Sequence, residues 1–284
     1  MTEKQWNRKN FYRPELYHDH FQNFKSYGIP KAQLIIADVP YNLGKNAYAS
    51  NPVWYVDGDN RNGESSKAGK AFFESDHDFS PEHFMIFCTR LLKTEKNQKD
   101  VTVFIGKGDE KFKRKSDAPC LILFLPFEQL DVYIRIAKSH GLNHYFPLVF
   151  RKKYSAQVLK ANMKIVGNCE YGLVLYKNRL PKFNNGGAMI FNCFDWPEDY
   201  KTVPKIHPTQ KPVPLLENLI SIFTDPGDVV IDPVAGSAST LRAAANLGRR
   251  GYGFEIKKEF YQRANELMLS AFEPELFSIL RNEK

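Results

Sequence analysis

The segment from Val229 to Phe254 constrains the fold more than any other part of the chain. It predicts a buried strand at Val229–Ile231, a small-residue loop at Asp232–Ser239, a helix at Thr240–Leu247 and a second strand at Gly251–Phe254. Strand, loop, helix and strand in this order form a βαβ unit, whose two strands lie parallel in one sheet. We therefore expect an α/β fold built on a doubly wound, mostly parallel sheet.

A second apolar run, Leu34–Ala37, ends in Asp38-Val39-Pro40-Tyr41 and also predicts a buried strand. In open α/β sheets, ligands bind beyond the carboxyl ends of the strands, so Asp38 and Tyr41 are expected at the functional edge. Further strands are predicted at Val101–Ile105, Cys120–Leu125, Tyr145–Phe150 and Tyr171–Tyr176, and helices at Phe21–Tyr27, from Ser80 onwards, and at Phe127–Ser139, Leu215–Phe223 and Phe260–Leu269. Met1–Tyr17 and Phe191–Val203 are expected to be irregular.

Composition sets broad limits on the function. The chain has 284 residues, is 43% hydrophobic and carries a net charge of +8, which mildly favours a polyanionic partner. Its four cysteines form no CxxC pair, so no metal site is expected. The amino terminus is polar, and no apolar run approaches the roughly 18 residues that span a bilayer. We expect a cytoplasmic protein that does not enter a membrane.

The loop after Val229–Ile231 favours a nucleotide-containing cofactor. Small residues let a ligand approach the backbone, and the helix that follows offers free N–H groups. Glu255, about twenty residues on, is placed to accept hydrogen bonds from ribose hydroxyls. The loop lacks the GxGxxG pattern, which disfavours a nicotinamide cofactor. Taken alone, the loop is equally compatible with a tight turn.

Two other clusters are ambiguous by themselves. Asp38-Val39-Pro40-Tyr41 is either a strand end with a turn, or a site where Tyr41 stacks on a planar substrate and Asp38 holds its amino group. His207-Pro208-Thr209-Gln210-Lys211-Pro212 is either a proline-rich helix entry or a place where Thr209 and Lys211 meet an anionic group.

Together the three clusters resemble the adenine-N6 and cytosine-N4 amino-methyltransferases of DNA. Asp38-Val39-Pro40-Tyr41 is similar to their Asp-Pro-Pro-Tyr motif, and Asp232–Thr240 to their Asp-Pro-Phe-x-Gly-Ser-Gly-Thr loop. Residues 207–212 are similar to the His-Pro-Thr-Gln-Lys-Pro stretch before that loop. The catalytic motif precedes the cofactor loop, which is the β-class order. Leu121–Lys177 resembles the central strands of the family, including Glu170 and Lys177.

The resemblance implies a Rossmann-like methyltransferase fold and S-adenosyl-L-methionine as cofactor. It implies that Asp38, Pro40 and Tyr41 are catalytic and act on a base flipped out of double-stranded DNA. The cofactor-binding residues it implies are Asp232, Pro233, Gly236, Ser237, Ser239, Thr240, Glu255, Lys211 and Thr209. One catalytic domain, 1–284, is expected, with target-recognition or lid insertions at 42–78, 93–117 and 178–203, and association with the nucleoid through DNA.

Three departures from the family pattern bear on activity. Val39 replaces a proline, Val234 replaces a phenylalanine, and Ala238 replaces a glycine, so Ala238 is strained if its position requires φ > 0. The acidic residue that opens the catalytic motif favours adenine in this family. Cytosine-N4 methylation and a catalytically weakened DNA-binding relative are the alternatives. Relatives that methylate RNA bases or protein glutamine usually have the reverse motif order. A homodimer and a restriction-endonuclease partner are left open by the sequence.

Overall fold

A computed structural model describes residues 12–40, 79–95, 101–104, 111–114, 116–153, 157–160, 165–199, 203–207 and 209–270. The helices are α1 (Pro81–Leu91), α2 (Leu130–Ser139), α3 (Val213–Phe223), α4 (Ser239–Asn246) and α5 (Lys258–Arg263). The strands are β1 (Glu15–Tyr17), β2 (Leu34–Asp38), β3 (Val101–Phe104), β4 (Lys111–Arg114), β5 (Cys120–Leu125), β6 (His144–Arg151), β7 (Gln157–Lys160), β8 (Ile165–Gly167), β9 (Cys169–Tyr176), β10 (Cys193–Asp195), β11 (Val229–Asp232) and β12 (Arg250–Phe254). Within these ranges, no helix is both long and apolar enough to span a bilayer.

One large sheet organises the described residues. Its strand order is β1-β12-β11-β2-β5-β9-β6-β10, and the strands run parallel except β9, which is antiparallel to both β5 and β6. The predicted βαβ unit is confirmed, since β11 and β12 are parallel neighbours connected through α4. The doubly wound, mostly parallel sheet is confirmed with it.

Helices cover both faces of the sheet, as the continuous apolar strands require. Because side chains alternate along a strand, Leu34 and Ile36 of β2 enter the core beneath α3 and α4, whereas Ile35 and Ala37 enter the core beneath α1 and α2. Asp38 lies two residues after Ile36, so its side chain is on the same face of the sheet as Leu34 and Ile36. The Asp38 side chain therefore lies on the α3 side of the sheet.

Two segments that were expected to be irregular contain short strands. Glu15–Tyr17 pairs with β12 at one edge of the sheet, and Cys193–Asp195 pairs with β6 at the other. Each strand has three residues, which is too short for an alternating pattern to be recognised. The other strand and helix predictions are confirmed within a few residues. The helix predicted at Phe127–Ser139 begins with a 3₁₀ turn, the Phe21–Ser26 helix is wholly 3₁₀, and the last helix becomes a π-turn at Ala264–Met268.

Two of the three predicted insertions contain strands that the structure describes. Segment 93–117 contributes an antiparallel hairpin of β3 and β4, and segment 178–203 contributes the edge strand β10. Segment 42–78 lies outside the described residues. A role for these segments in target recognition stays a prediction.

Lys182 fastens the start of segment 178–203 to the core. Its ammonium lies 2.9 Å from Asp225 Oδ2 and 2.6 Å from Asp228 Oδ2, in the turn that leads into β11. The side chain of Lys182 is 6% exposed, so its charge is compensated by these carboxylates rather than by water. This cluster therefore holds the connection between β9 and β10 against the sheet.

Candidate active site

Asp38 is the last residue of β2, at the carboxyl edge of the parallel strands. In the strand register it lies opposite Phe124 of β5, which in turn lies opposite Gly172 of β9. The Asp38 side chain is 25% exposed, so it stands at the boundary between the core and the edge of the sheet. Pro40 follows it and is half-buried, while Tyr41 lies outside the described residues.

Lys211 contacts Asp38, the predicted catalytic acid, directly. Its ammonium nitrogen lies 2.5 Å from Asp38 Oδ2 and 3.3 Å from Glu170 Oε2, and its side chain is 7% exposed. Burial alone lowers the pKa of Lys211, but the Asp38 and Glu170 carboxylates outweigh burial and raise it. The sequence predicted a cofactor-binding role for Lys211, and the structure directs its ammonium to the acids at the ends of β2 and β9.

Strand register explains why Glu170 reaches this place. Gly172 lies opposite Phe124, and Glu170 precedes Gly172 by two residues, so both project from the same face of β9. Because β9 is antiparallel to β5, Glu170 lies beyond the end of β5, next to the Lys211 ammonium. Gly172 allows this packing, since a Cβ there would lie 2.9 Å from the Phe150 ring.

Lys152 and Trp196 lie beside the group formed by Asp38, Lys211 and Glu170. The Lys152 ammonium forms a short ion pair with Glu170 Oε1 and lies 4.7 Å from the centre of the Trp196 ring. The same ring is 5.8 Å from the Lys211 nitrogen. Burial by itself raises the pKa of Glu170, and the two ammonium groups outweigh it and hold that pKa below its usual value. Glu170 is therefore an ionised carboxylate between two cations.

The predicted cofactor loop connects β11 to α4 with two residues in left-handed conformation. Gly236 has φ 52° and Ala238 has φ 60°, and Ala238 is the only non-glycine with positive φ among the described residues. The suspected strain at Ala238 is thus confirmed. The Ala235 N–H donates to the Phe254 carbonyl at 2.8 Å, which ties the loop to β12.

Glu255 braces this loop from the end of β12. Its Oε2 accepts the Gly236 N–H at 2.9 Å, and its Oε1 accepts the Lys257 N–H at 2.7 Å. Burial raises the pKa of the Glu255 carboxyl, and these two N–H groups partly offset that effect. A carboxylate has about four lone-pair sites, so the same group can also accept hydroxyl donors from a ligand.

Asp232 lies at the base of the loop and is 4% exposed. Its Oδ1 accepts the Val234 N–H at 3.1 Å. Burial raises the pKa of Asp232 to about 7, against the lowering effect of hydrogen bonds from Thr240 and Val234, and the charges of Asp38 and Glu255 raise it further. The predicted catalytic acid and the acids of the cofactor loop therefore lie within electrostatic range of one another.

His207 covers the predicted cofactor loop. Its ring carbon lies 3.8 Å from where a Cβ on Gly236 would be, and it packs edge-on against Phe260 with ring centres 4.4 Å apart. Burial and the charges of Lys211 and Lys257 lower the pKa of His207 to about 4. His207 is therefore a neutral, packed ring above the loop.

The structure brings most of the predicted residues together. Ser237 and Ser239 lie 3.3 Å apart through their hydroxyl groups, Thr240 bonds Asp232, and Pro233 is buried. Thr209 is exposed and bonds His207 Nδ1, at 3.1 Å through its hydroxyl, so its contact in this structure is with the ring above the loop. The predicted site lacked Glu170, Lys152, Phe124, Trp196 and His207. Of these, His207 could have been found, because it opens the 207–212 motif.

The loop fits a cofactor that carries a ribose. Glu255 can accept ribose hydroxyls, and left-handed Gly236 keeps the backbone open to a ligand. In this doubly wound sheet the loop follows β11, and Asp38 ends the neighbouring strand β2. This is the architecture of a Rossmann-like methyltransferase.

Comparison with known proteins gives the family. A family model described as DNA methylase, of the N6/N4 type, matches residues 32–266, and the chain belongs to this family. Its methyl donor is S-adenosyl-L-methionine and its substrate class is DNA. The fold, the cofactor and the general activity inferred from the sequence are thereby confirmed.

Individual relatives agree with this assignment. The DNA adenine methyltransferase YhdJ of Escherichia coli (strain K12) is 27% identical over 256 residues, which are 85% of this chain and 78% of that protein. A second protein of that strain, YubD, is 32% identical over 157 residues, or 55% of this chain and 64% of its own length.

Two solved structures share the fold. The M1.HpyAVI–SAM complex has a TM-score of 0.56 at 19% identity, with 89% of this chain and 98% of that one covered. The cytosine-N4-specific PvuII DNA methyltransferase has a TM-score of 0.60 at 14% identity, covering 90% and 86%.

Proposed function

We propose that this enzyme methylates the N6 amine of adenine in a specific sequence of double-stranded DNA. The observation that carries the proposal is the Asp38 carboxylate, which stands at the end of β2 within electrostatic range of the Asp232 loop. When bound, S-adenosyl-L-methionine supplies an electrophilic methyl group. The remaining task of the protein is to present the amine of the base to that methyl group.

In the proposed mechanism Asp38 and Pro40 hold the amine. Its lone pair is delocalised into the base ring, which makes it a poor nucleophile. The Asp38 carboxylate and the Pro40 carbonyl accept its two N–H groups and favour a tetrahedral nitrogen, whose lone pair would be free to attack a sulfonium methyl group. The N–C bond would form as the S–C bond breaks, a neutral thioether would leave, and the extra proton on nitrogen would pass to solvent. Catalysis rests on positioning and electrostatics, with no covalent intermediate on the enzyme.

The amine is inaccessible inside a duplex, so the base must be flipped out at a cost of a few kcal/mol. Stacking on Tyr41 is proposed to return roughly 1–3 kcal/mol of this cost. In the same proposal, Glu255 binds the cofactor ribose, and Asp232, Pro233, Gly236, Ser237, Ser239 and Thr240 surround its remaining groups. Thr209 and Lys211 act from the adjoining segment.

Adenine is favoured over cytosine for two reasons. The catalytic motif opens with the acidic Asp38, and the relative YhdJ, which aligns over 85% of this chain, is named an adenine methyltransferase. The fold similarity to the cytosine-N4-specific PvuII enzyme supports cytosine N4 as the second candidate. A homodimer and a restriction-endonuclease partner stay predictions from the family resemblance.

A single experiment tests the proposal. The protein is incubated with labelled S-adenosyl-L-methionine and genomic DNA that lacks methylated bases, and the DNA is digested to nucleosides for mass spectrometry. N6-methyladenine is the expected product, and N4-methylcytosine would select the second candidate. Asp38→Ala should abolish the product with cofactor affinity nearly intact, whereas the surface variant Asp131→Ala should resemble the wild type. Parallel incubations with RNA and with protein complete the test, and label in either of these but not in DNA would overturn the proposal.

A further inference from the structure

Four charged side chains alternate in sign at the catalytic edge of the sheet. Lys152 pairs with Glu170, Glu170 lies 3.3 Å from Lys211, and Lys211 lies 2.5 Å from Asp38. Two carboxylates and two ammonium groups make the cluster formally neutral. Its members come from β2, β9, the end of β6 and the segment before α3, so only the tertiary structure assembles it.

Burial makes the members of the cluster depend on one another. Lys211 is 7% exposed, Glu170 is 15%, and Asp38 and Lys152 are 25% exposed. A buried charge that loses its partner is strongly destabilised, because neither water nor a counter-charge compensates it. The amine of the base must nevertheless bond the carboxylate whose Oδ2 contacts Lys211. One carboxylate can accept both groups, but each weakens the contact of the other, and a second carboxylate beside Lys211 relieves that competition when the base arrives.

We propose that Glu170 is a positioning residue that, together with Lys152, holds Lys211 as a shared counter-ion between Glu170 and Asp38. This inference rests on the proposed function. In the structure the ammonium is closer to Asp38. When the amine bonds Asp38, the ammonium moves towards Glu170 and remains paired, while Asp38 remains ionised. Lys152 keeps Glu170 in place for this exchange. The Phe124 and Trp196 rings lie 5.2 and 5.8 Å from the Lys211 nitrogen and limit where the ammonium can move.

The proposal predicts that the effect of Glu170→Gln depends on Lys211. In the wild-type background, Glu170→Gln leaves Asp38 as the only carboxylate for Lys211, so Lys211 competes with the base. The expected loss of kcat is about tenfold or more, with KM for the cofactor unchanged. In a Lys211→Met background, Glu170 instead repels Asp38 across a buried gap. There, Glu170→Gln should raise kcat.

A double-mutant cycle measures this sign reversal. Wild type, Glu170→Gln, Lys211→Met and the double variant are compared for kcat, cofactor affinity and thermal melting, with the exposed Glu128→Gln as a control. Glu170→Asp should recover part of the kcat lost in Glu170→Gln. Equal losses in both backgrounds would show that Glu170 only maintains the fold and would overturn the proposal, as would no loss in either.

A replacement variant and the wild-type activity keep the proposal testable if Glu170→Gln is unstable. If Glu170→Gln loses cofactor affinity or melts early, Lys152→Met takes its place, because it loosens Glu170 from a more exposed position. A kcat reduced a few-fold at unchanged cofactor affinity is expected, and an unchanged kcat would contradict the proposal. Failure of the proposed function is distinguishable, since the wild type would then transfer no methyl group to DNA.

Discussion

The Lys211 ammonium lies 2.5 Å from Asp38 Oδ2, although 173 residues separate the two in the chain. Four residues before Lys211, the His207 ring packs over Gly236 of the cofactor loop. One short segment therefore contacts both the proposed catalytic acid and the loop proposed to bind the methyl donor. Gln210 stiffens it by accepting the Ile206 N–H and donating to the Pro204 carbonyl, each at 3.0 Å.

The charge of Asp38, rather than its shape, should control methyl transfer. Asp38→Asn keeps the side-chain volume but replaces a carboxylate oxygen beside Lys211 with an amide. We expect kcat to fall by about a hundredfold or more, because a preorganised electrostatic contact to the reacting amine is lost. Single-turnover transfer to DNA measures this. Asp131→Asn, on the exposed face of α2, is the matched control, and near-normal transfer by Asp38→Asn would contradict the assignment.

Glu255 should control cofactor affinity. In Glu255→Gln, the amide group places N–H donors against the Gly236 or Lys257 N–H, so one of these two bonds is lost. The ribose also loses a charged acceptor, so binding of S-adenosyl-L-methionine should weaken by about 1.5–3 kcal/mol, the usual contribution of a hydrogen bond to a charged group. Isothermal titration calorimetry measures the affinity. Glu259→Gln, at a side chain 77% exposed on α5, should bind like the wild type. Equal affinities for both variants would refute the role of Glu255.

Two glycines of β12 offer a matched test of packing beneath the cofactor loop. A Cβ at Gly253 would lie 2.8 Å from Leu241 Cδ1 and 3.2 Å from the Asp232 carbonyl, whereas at Gly251 the nearest atom would be 3.4 Å away. Gly253→Ala should lower the free energy of unfolding by about 1–3 kcal/mol through overpacking. Gly251→Ala should stay within about 1 kcal/mol of the wild type, because the added methyl meets ordinary contacts.

Urea unfolding followed by circular dichroism measures both glycine variants. Gly253→Ala should also weaken cofactor binding, because the displaced Asp232 carbonyl belongs to the loop. Equal stabilities for the two variants would show that the strand yields at Gly253.

Stability without cofactor should depend on pH through Asp232. Its pKa is about 7 in the folded protein, because of burial, and near 3.9 in the unfolded chain. Between these values the folded protein retains a proton that the unfolded chain has lost. The contribution to stability is thus complete below about pH 4 and is lost as the pH rises through about 7.

Asp232→Asn isolates this effect, because it cannot titrate. The free energy of unfolding of the wild type minus that of the variant should decrease between about pH 5 and about pH 8. His207, whose pKa is lowered to about 4, gains stability as the pH rises, but it does so in both proteins and cancels in the difference. A difference that is flat with pH would contradict the raised pKa of Asp232.

The sequence by itself determined the sheet and the order of its functional loops. Val229–Ile231 and Leu34–Ala37 are continuous apolar runs, which are compatible only with burial on both faces, and each ends in an acid. The strain at Ala238 was also foreseeable, since alanine stands where the similar loops carry glycine, and the structure gives φ 60° there. Local pattern suffices in these cases because the deciding interactions lie within a few residues.

Only the tertiary structure decided which charges meet. The antiparallel direction of β9 carries Glu170 past the end of β5, and the entry to α3 brings Lys211 between Glu170 and Asp38. The three-residue strands β1 and β10 likewise exist only because longer neighbours offer them hydrogen bonds. Long-range register and burial fix these contacts. No pattern along the chain encodes a pairing between residues 173 positions apart, and so the chemistry of Lys211 followed from the fold.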